Sequence, residues 1–68
     1  MKVHVIQRGS RWAVKVEGSK RAESLHETRK EAEKRGRTLA RNRRGVFVLH
    51  TRTGAVEKWD NYGTEARA

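Results

Sequence analysis

The stretch TRKEAEKRGRTLARNRR, residues 28–44, predicts the one helix of this chain, and the remaining segments are arranged around it. Thr28 and Glu31 have the spacing of a capping box, in which the hydroxyl accepts a hydrogen bond from the Glu31 amide and the carboxylate reaches back. At 100° per residue, mostly small residues share one stripe, which we expect to face the core. These residues are Ala32, Gly36, Leu39 and Arg43, with Ala40 at the margin. We therefore expect the helix to lie close to a sheet, with Gly36 at the closest approach and Gly45 as the residue just past its end.

The opposite stripe of the same helix is basic, with residues spaced four, three, four and three apart. A solvated helix face usually mixes acids and bases to gain i,i+4 pairs, but here Glu31 and Glu33 flank only the beginning of the stripe. Phosphate binding needs several cations on a rigid element, and arginine suits phosphate well. The sequence therefore predicts a nucleic-acid-binding surface on the helix, with the stripe extended at its edge by two further arginines. The predicted residues are Lys30, Lys34, Arg37, Arg41 and Arg44, with Arg43 and Arg52 at the edge. The alternative is a solvated face that binds nothing.

The charge of the whole chain supports a polyanionic partner. Lys and Arg number 17 against 8 Asp and Glu, a formal net charge of +9 over 68 residues. A small domain this basic attracts polyanions, of which nucleic acid is the commonest. We expect largely sequence-independent binding, with duplex DNA slightly favoured over RNA. The alternative function is a protein-interaction module, such as a phage-encoded inhibitor, that docks on an acidic protein or a ribonucleoprotein.

The segments on either side of the helix predict two hairpins. Residues 2–8 (KVHVIQR) and 11–17 (RWAVKVE) alternate apolar and polar residues around the turn signal Gly9-Ser10. Residues 45–52 (GVFVLHTR) and 55–59 (AVEKW) flank the turn Thr53-Gly54. Residues 18–27 predict an irregular connection, in which Leu25 plugs the edge of the core. The predicted fold class is therefore α+β, in the order strand-strand-helix-strand-strand, with an antiparallel sheet of two hairpins and the helix packed on one face.

This length allows one small domain, residues 1–68, with an ordered core of about 2–62 and a flexible tail at 63–68. No second helix is available for the other face of the sheet, so we expect either Trp59 and Tyr62 or a second copy to cover it. A homodimer through the open sheet face or edge follows from the second case. Arg8, Arg11 and Lys15 make that face a secondary candidate for nucleic-acid contact. Trp12 shares a phase with the valines of its strand, which places it in the core.

No residue pattern indicates catalysis, a cofactor or a metal. His4, His26 and His50 lack the spacing of a metal site, although His50 would approach His4 if the first and third predicted strands were neighbours. Glu57 and Asp60 have no defined cleft between them. We therefore predict a non-enzymatic protein with no small-molecule substrate. The chain has no apolar run of membrane-spanning length and no signal-peptide pattern, so we expect no membrane contact and a cytoplasmic location.

An ordered set of residues carries a family resemblance over about residues 3–63. The set is Trp12-Ala13-Val14-Lys15, Glu17-Gly18, Arg21-Ala22, Thr28-x-Lys30-Glu31-Ala32, Leu39-Ala40, His50, Gly54, Val56 and Asn61-Tyr62-Gly63. In this order they resemble the small, mostly bacterial and phage domain of unknown function numbered twenty-one eighty-eight. The resemblance implies a strand-strand-helix-strand-strand domain and no established chemistry. The arginines in the second half of this helix depart from the family pattern.

Overall fold

The computed structural model describes residues 1–63, in which one helix lies against one face of a five-stranded sheet. The elements are β1 (Lys2–Arg8), β2 (Arg11–Val16), β3 (Ser24–His26), α1 (Arg29–Asn42), β4 (Val46–His50) and β5 (Val56–Asn61). The strand order across the sheet is β3-β2-β1-β4-β5. The predicted α+β class and the single helix are confirmed.

The predicted purely antiparallel sheet of two hairpins is wrong, because β1 lies between β2 and β4 and runs parallel to β4. Both hairpins exist, β1 with β2 and β4 with β5. The connection through α1 crosses the sheet, so that β4 pairs with β1 and runs in the same direction. Burial explains the placement of β4, whose central residues are apolar and buried on both faces of the sheet. In β4, Phe47 and Leu49 are buried against the helix and Val48 is buried on the other face. Strands with two apolar faces are best placed at or near the middle of the sheet.

The predicted irregular connection contains a short strand that the sequence analysis missed. β3 pairs antiparallel with β2, with Leu25 opposite Ala13. This register puts Leu25 on the face of the sheet that turns away from the helix, where it is 48% exposed. The sequence analysis predicted that Leu25 plugs the edge of the core, and this prediction is wrong.

The core lies between α1 and the sheet, and the predicted close approach at Gly36 is confirmed. A Cβ atom added there would stand 2.8 Å from Val5 Cγ2 and 3.1 Å from Phe47 Cε1. Real Cβ atoms essentially never approach another heavy atom within 3.0 Å. Trp12 packs against this core as predicted, although it is only partly buried. Glycine thus lets the helix backbone settle directly onto the large side chains of the strands.

The start of the helix is capped by one half of the predicted capping box. Thr28 has an extended backbone, and its Oγ1 accepts a hydrogen bond from the Glu31 amide at 3.2 Å. Within residues 1–63 the Glu31 carboxylate makes no bond back to Thr28. The threonine side chain thus satisfies one of the free amides of the first turn.

The end of the helix is a Schellman motif with an arginine in the position that glycine usually takes. Arg44 has φ +52° and its amide donates to Arg41 O at 3.2 Å, while the Gly45 amide donates to Ala40 O at 2.8 Å. The left-handed residue after the C-cap is therefore Arg44, and the prediction that Gly45 holds this place is wrong. Gly45 is needed for a different reason, because a Cβ there would lie 2.6 Å from Met1 O.

The last described segment places its two aromatic residues on opposite sides of the sheet. Trp59 pairs with Val48 on the open face and is 57% exposed, whereas Tyr62 packs against the core beneath the helix. The predicted flexible tail lies outside the described residues apart from Gly63. Within residues 1–63, no helix has the length and apolar character needed to cross a membrane.

Candidate nucleic-acid interface

The solvent side of α1 carries a row of exposed cations. Lys30, Lys34 and Arg41 are exposed and stand opposite the buried stripe of the helix. None of the three forms an ion pair with a carboxylate anywhere in residues 1–63. Their charges are therefore not neutralised by carboxylates of the described domain.

Arg37, predicted to belong to the same row, is instead bonded into the fold. Its Nη1 donates to Asp60 Oδ2 at 2.7 Å and to Tyr62 Oη at 2.8 Å, and its Nη2 donates to Glu33 Oε2 at 3.2 Å. The guanidinium carbon lies 4.6 Å from the centre of the Phe47 ring. The hydrogen bond to Asp60 is the largest influence on the pKa of Arg37 and raises it above the usual range. Arg37 therefore fastens the helix to β5 and has little capacity left for phosphate.

A part of this arrangement was visible in the sequence, because Glu33 and Arg37 have the i,i+4 spacing of a helical ion pair. The partner on β5 was not visible, since nothing local places Asp60 beneath the helix. The same flank carries a second link of this kind, in which Lys58 lies 3.8 Å from Glu33. Near the start of the helix Arg29 pairs with Glu57 and lies 5.6 Å from the Trp12 ring centre. The acids of this flank are thus used inside the fold.

The edge residues of the predicted surface are divided between the two ends of the helix. Arg43 and Arg44 are exposed at its C-terminus, where the unpaired carbonyls give a negative partial charge that favours cations. Arg52 lies in the turn after β4, at the opposite end of that strand, and does not extend the C-terminal cluster. Arg35, which the sequence analysis did not include, is exposed on the flank of α1 that faces β3. We use the name helix face for Lys30, Lys34, Arg41, Arg43 and Arg44.

Two shallow depressions flank Lys34 along the helix. One, of about 320 Å³, is lined by His26, Glu31, Lys34, Arg35 and Thr38. The other, of about 330 Å³, is lined by Lys30, Glu33, Lys34 and Arg37. Lys34 therefore stands between two concave surfaces, and each of them also carries one carboxylate, that of Glu31 in the first and that of Glu33 in the second.

The secondary candidates for nucleic-acid contact lie on the face of the sheet that is opposite the helix, as predicted. Arg8, Arg11 and Lys15 point away from the helix by strand alternation, and Arg11 is 3.7 Å from Glu27. Acids are interspersed with the cations of this open face, in contrast to the helix face. By strand alternation the cations of the open face are Lys2, Arg8, Arg11 and Lys15, and Glu17 and Glu27 lie beside His4 and Arg11. These acids offset part of the positive charge, so the open face offers less attraction to a polyanion than the helix face does.

His4 and His50 do become neighbours, because β1 and β4 are paired. His4 Nδ1 lies 2.9 Å from His50 Nε2, while His4 Nε2 lies 3.0 Å from Glu17 Oε1 and His50 Nδ1 lies 3.2 Å from Gly54 O. Glu17 Oε1 and Gly54 O can only accept, so three simultaneous hydrogen bonds need three protons on the two rings. The hydrogen bond from His4 lowers the pKa of Glu17. Within residues 1–63, no group of three or more potential ligands is arranged to hold a metal ion.

Comparison with known proteins places the chain in a family. A family model described as "Uncharacterized protein conserved in bacteria (DUF2188)" matches residues 3–62. The "Uncharacterized protein YdaT" of Bacillus subtilis (strain 168) is 36% identical over 55 residues, which cover 81% of this chain but only 37% of that relative. No solved structure matches the chain. The chain thus belongs to the DUF2188 family of bacterial proteins.

Proposed function

We propose that this domain is a small, non-enzymatic nucleic-acid-binding protein that contacts phosphates through the helix face, largely without reading sequence. Duplex DNA is slightly favoured over RNA. The observation that supports this proposal is the set of exposed cations, on α1 and at its C-terminal end, that lack carboxylate partners within residues 1–63.

The spacing of the helix face suits a phosphate backbone. Lys30 and Arg41 are eleven residues apart, a distance of about 16 Å along a helix that rises ~1.5 Å per residue. Each strand of duplex DNA carries one phosphate per ~3.4 Å of the duplex axis, so this span matches roughly five phosphates of one strand. The cations of the helix face are therefore comparable in number with the phosphates of one strand over this length.

The composition of the helix face favours phosphate contacts over base readout. Base edges are read mainly by arginine, asparagine and glutamine side chains that enter a groove. Here α1 lies flat on the sheet, and its exposed row consists of flexible lysine and arginine side chains. The exposed Trp59 lies on the other side of the molecule and is not positioned to stack on bases at this surface.

The proposal is tested by measuring affinity for duplex DNA, single-stranded DNA and structured RNA as the salt concentration changes. Five phosphate contacts predict a slope of about −4.5 for log K against log salt on duplex DNA, from −0.9 per contact. Affinity would then fall by roughly 500-fold between about 50 and 200 mM salt. A slope near zero for all three ligands would refute the proposal.

A matched pair of charge reversals locates the surface. Lys34→Glu reverses a cation of the helix face, and Lys20→Glu reverses an exposed cation in the connection between β2 and β3. Both change the net charge equally, so only the first should abolish binding at moderate salt. Equal losses would mean that overall charge, and not the helix face, attracts the nucleic acid. A cellular partner that is retained after nuclease treatment would instead favour docking on an acidic protein.

A further inference from the structure

A chain of three hydrogen bonds crosses the open face of the sheet through the two histidines that β1 and β4 bring together. His4 Nε2 lies 3.0 Å from Glu17 Oε1, and His4 Nδ1 lies 2.9 Å from His50 Nε2. His50 Nδ1 lies 3.2 Å from Gly54 O. The histidine pair, His4 and His50, therefore connects the residue that follows β2 to the turn between β4 and β5.

The geometry of the two rings indicates a shared proton and not a metal ion. Their centroids are 5.1 Å apart, little less than the N–N distance of 2.9 Å with one ring radius added at each end. The rings therefore point at each other almost end to end, and a proton fits on the line between the two nitrogens. A zinc ion needs about 2.0–2.1 Å to each nitrogen, which this separation allows only to one side of that line.

The protons in this chain of bonds can be counted. The carboxylate of Glu17 and the carbonyl of Gly54 only accept, so each of the three bonds needs its own proton on a ring nitrogen. Two neutral imidazoles supply two protons, so the complete chain holds one imidazolium. We propose that the histidine pair takes up one proton in common as the pH falls through the usual range of histidine, and that this proton fastens the turn between β4 and β5 to the sheet.

The bond that is lost with the shared proton follows from the surroundings of the three bonds. The bond to Glu17 has a charged acceptor, and such bonds are roughly twice as strong as neutral ones. The bond between the two rings is partly buried, where an unpaired nitrogen costs most. The bond to Gly54 O is exposed, has a neutral acceptor and is the longest of the three, so water replaces it most easily. At higher pH we therefore expect His50 to release Gly54.

The charged groups around the pair limit it to one added proton. The hydrogen bond from His4 is the largest influence on the pKa of Glu17 and lowers it, so this carboxylate stays ionised while histidine titrates and favours one positive charge beside it. On this face β5 contributes only uncharged residues, and the other strands contribute cations that oppose further charge. These cations are Lys2 and Arg8 on β1, Arg11 and Lys15 on β2, Arg52 in the turn and the Met1 amino group. A second added proton would charge both rings 2.9 Å apart and leave the bond between them without an acceptor, so the pair should take up one proton where two separate histidines take up two.

The experiment follows the ring nitrogens of the full chain by nuclear magnetic resonance between about pH 5 and 8, without nucleic acid. Long-range proton–nitrogen correlation spectra distinguish protonated from unprotonated ring nitrogens. At the acidic end three of the four ring nitrogens of the pair should carry a proton, and at the basic end two of the four. The Ala55 amide, whose peptide bond contains Gly54 O, should shift with the same midpoint. His26, whose ring bonds Ser24 in β3, provides a single histidine for comparison in the same spectra.

Two matched variants separate the pair from other effects of pH. His50→Gln removes the ring that carries the proton to Gly54 and should abolish the shift of the Ala55 amide. His26→Gln removes the histidine outside the pair and should leave that shift unchanged. If His50→Gln does not fold, which circular dichroism shows, the titration of the wild-type chain still decides the proposal.

Three results would overturn the proposal. The first is uptake of two protons by the pair over this pH interval. The second is an Ala55 amide that does not follow the titration of the pair, and the third is an Ala55 amide that still shifts in folded His50→Gln. Because nucleic acid is absent throughout, these results are independent of the proposed binding function.

Discussion

Comparing Arg37→Ala with Arg41→Ala separates the two roles that arginines of one helix have in this structure. Both residues belong to the basic stripe that the sequence predicts. In the structure Arg37 is held by Asp60, Tyr62 and Glu33, whereas Arg41 is exposed and has no carboxylate partner within residues 1–63. We expect the first substitution to damage stability and the second to damage binding.

The expected magnitudes follow from these contacts. A hydrogen bond to a charged group contributes about 1.5–3 kcal/mol, and a cation–π contact such as that with Phe47 adds about 0.5–1 kcal/mol. Since one guanidinium makes all the bonds, the contributions are not additive, and we expect Arg37→Ala to lower the free energy of unfolding by about 2–3 kcal/mol. For a domain of this size that corresponds to a melting temperature lower by about 10–20 °C. Arg41→Ala should change stability by less than about 0.5 kcal/mol.

The binding experiment should give the opposite ranking. Loss of one phosphate contact changes the salt slope on duplex DNA from about −4.5 to about −3.6 in Arg41→Ala. Below its melting temperature, Arg37→Ala should keep the wild-type slope. Thermal unfolding followed by circular dichroism and a fluorescence binding titration provide the two readouts. The reasoning is refuted if Arg37→Ala melts within a few degrees of wild type and loses about 0.9 of the slope.

Three further substitutions test the packing, the helix end and the histidine pair. Gly36→Ala should destabilise the domain by about 1–2 kcal/mol in urea unfolding, because the clash of the new Cβ with Val5 outweighs the gain in helix propensity. A more stable variant would contradict the close approach of the helix to the sheet at this residue. Arg44→Gly should stabilise the domain by about 1 kcal/mol, because glycine adopts the left-handed conformation without strain. The slope of log K against log salt on duplex DNA should become less steep by about 0.9, because one phosphate contact is lost. A lower melting temperature would show that the Arg44 side chain supports the fold. Because His4 lowers the pKa of Glu17 below its usual 4.5, that carboxylate stabilises the fold above this pH, and the contribution is lost as the pH falls through the lowered value. Wild type should therefore exceed Glu17→Gln in stability at neutral pH, and a difference that stays constant down to strongly acidic pH would contradict this.

The sequence predicted the elements that carry a strong local pattern. Alternation identified both hairpins, and the threonine cap with the small-residue stripe identified the helix and the approach at Gly36. β3 was missed because a three-residue strand offers no periodicity, and its phase depends on pairing with β2. The place of β4 beside β1 was missed because the neighbours of a strand that buries both faces, as β4 does, are decided by the assembled sheet and not by a local pattern.

The candidate site was predicted at the level of the element but not of every residue. The exposed cations follow from helical phase, and phase alone places Lys30, Lys34 and Arg41 opposite the core. The role of Arg37 depends on Asp60, which is 23 residues away in the chain and enters only through the tertiary fold. Helical phase also misplaced Arg44, because the chain leaves the helix before that residue.

The junction at the start of β4 has a consequence for how this domain can be joined to other chains. The Val46 amide donates to Met1 O at 2.8 Å, and the Tyr62 amide donates to Gly45 O at 2.9 Å. Residues 1 and 62 therefore flank the same strand end from its two sides, about 10 Å apart at two strand spacings. Because residues 1 and 62 are this close, the domain could be inserted into a loop of another protein with little displacement of that protein's backbone. The junction lies beside Arg44, so whatever is fused there will also stand at the basic end of the helix.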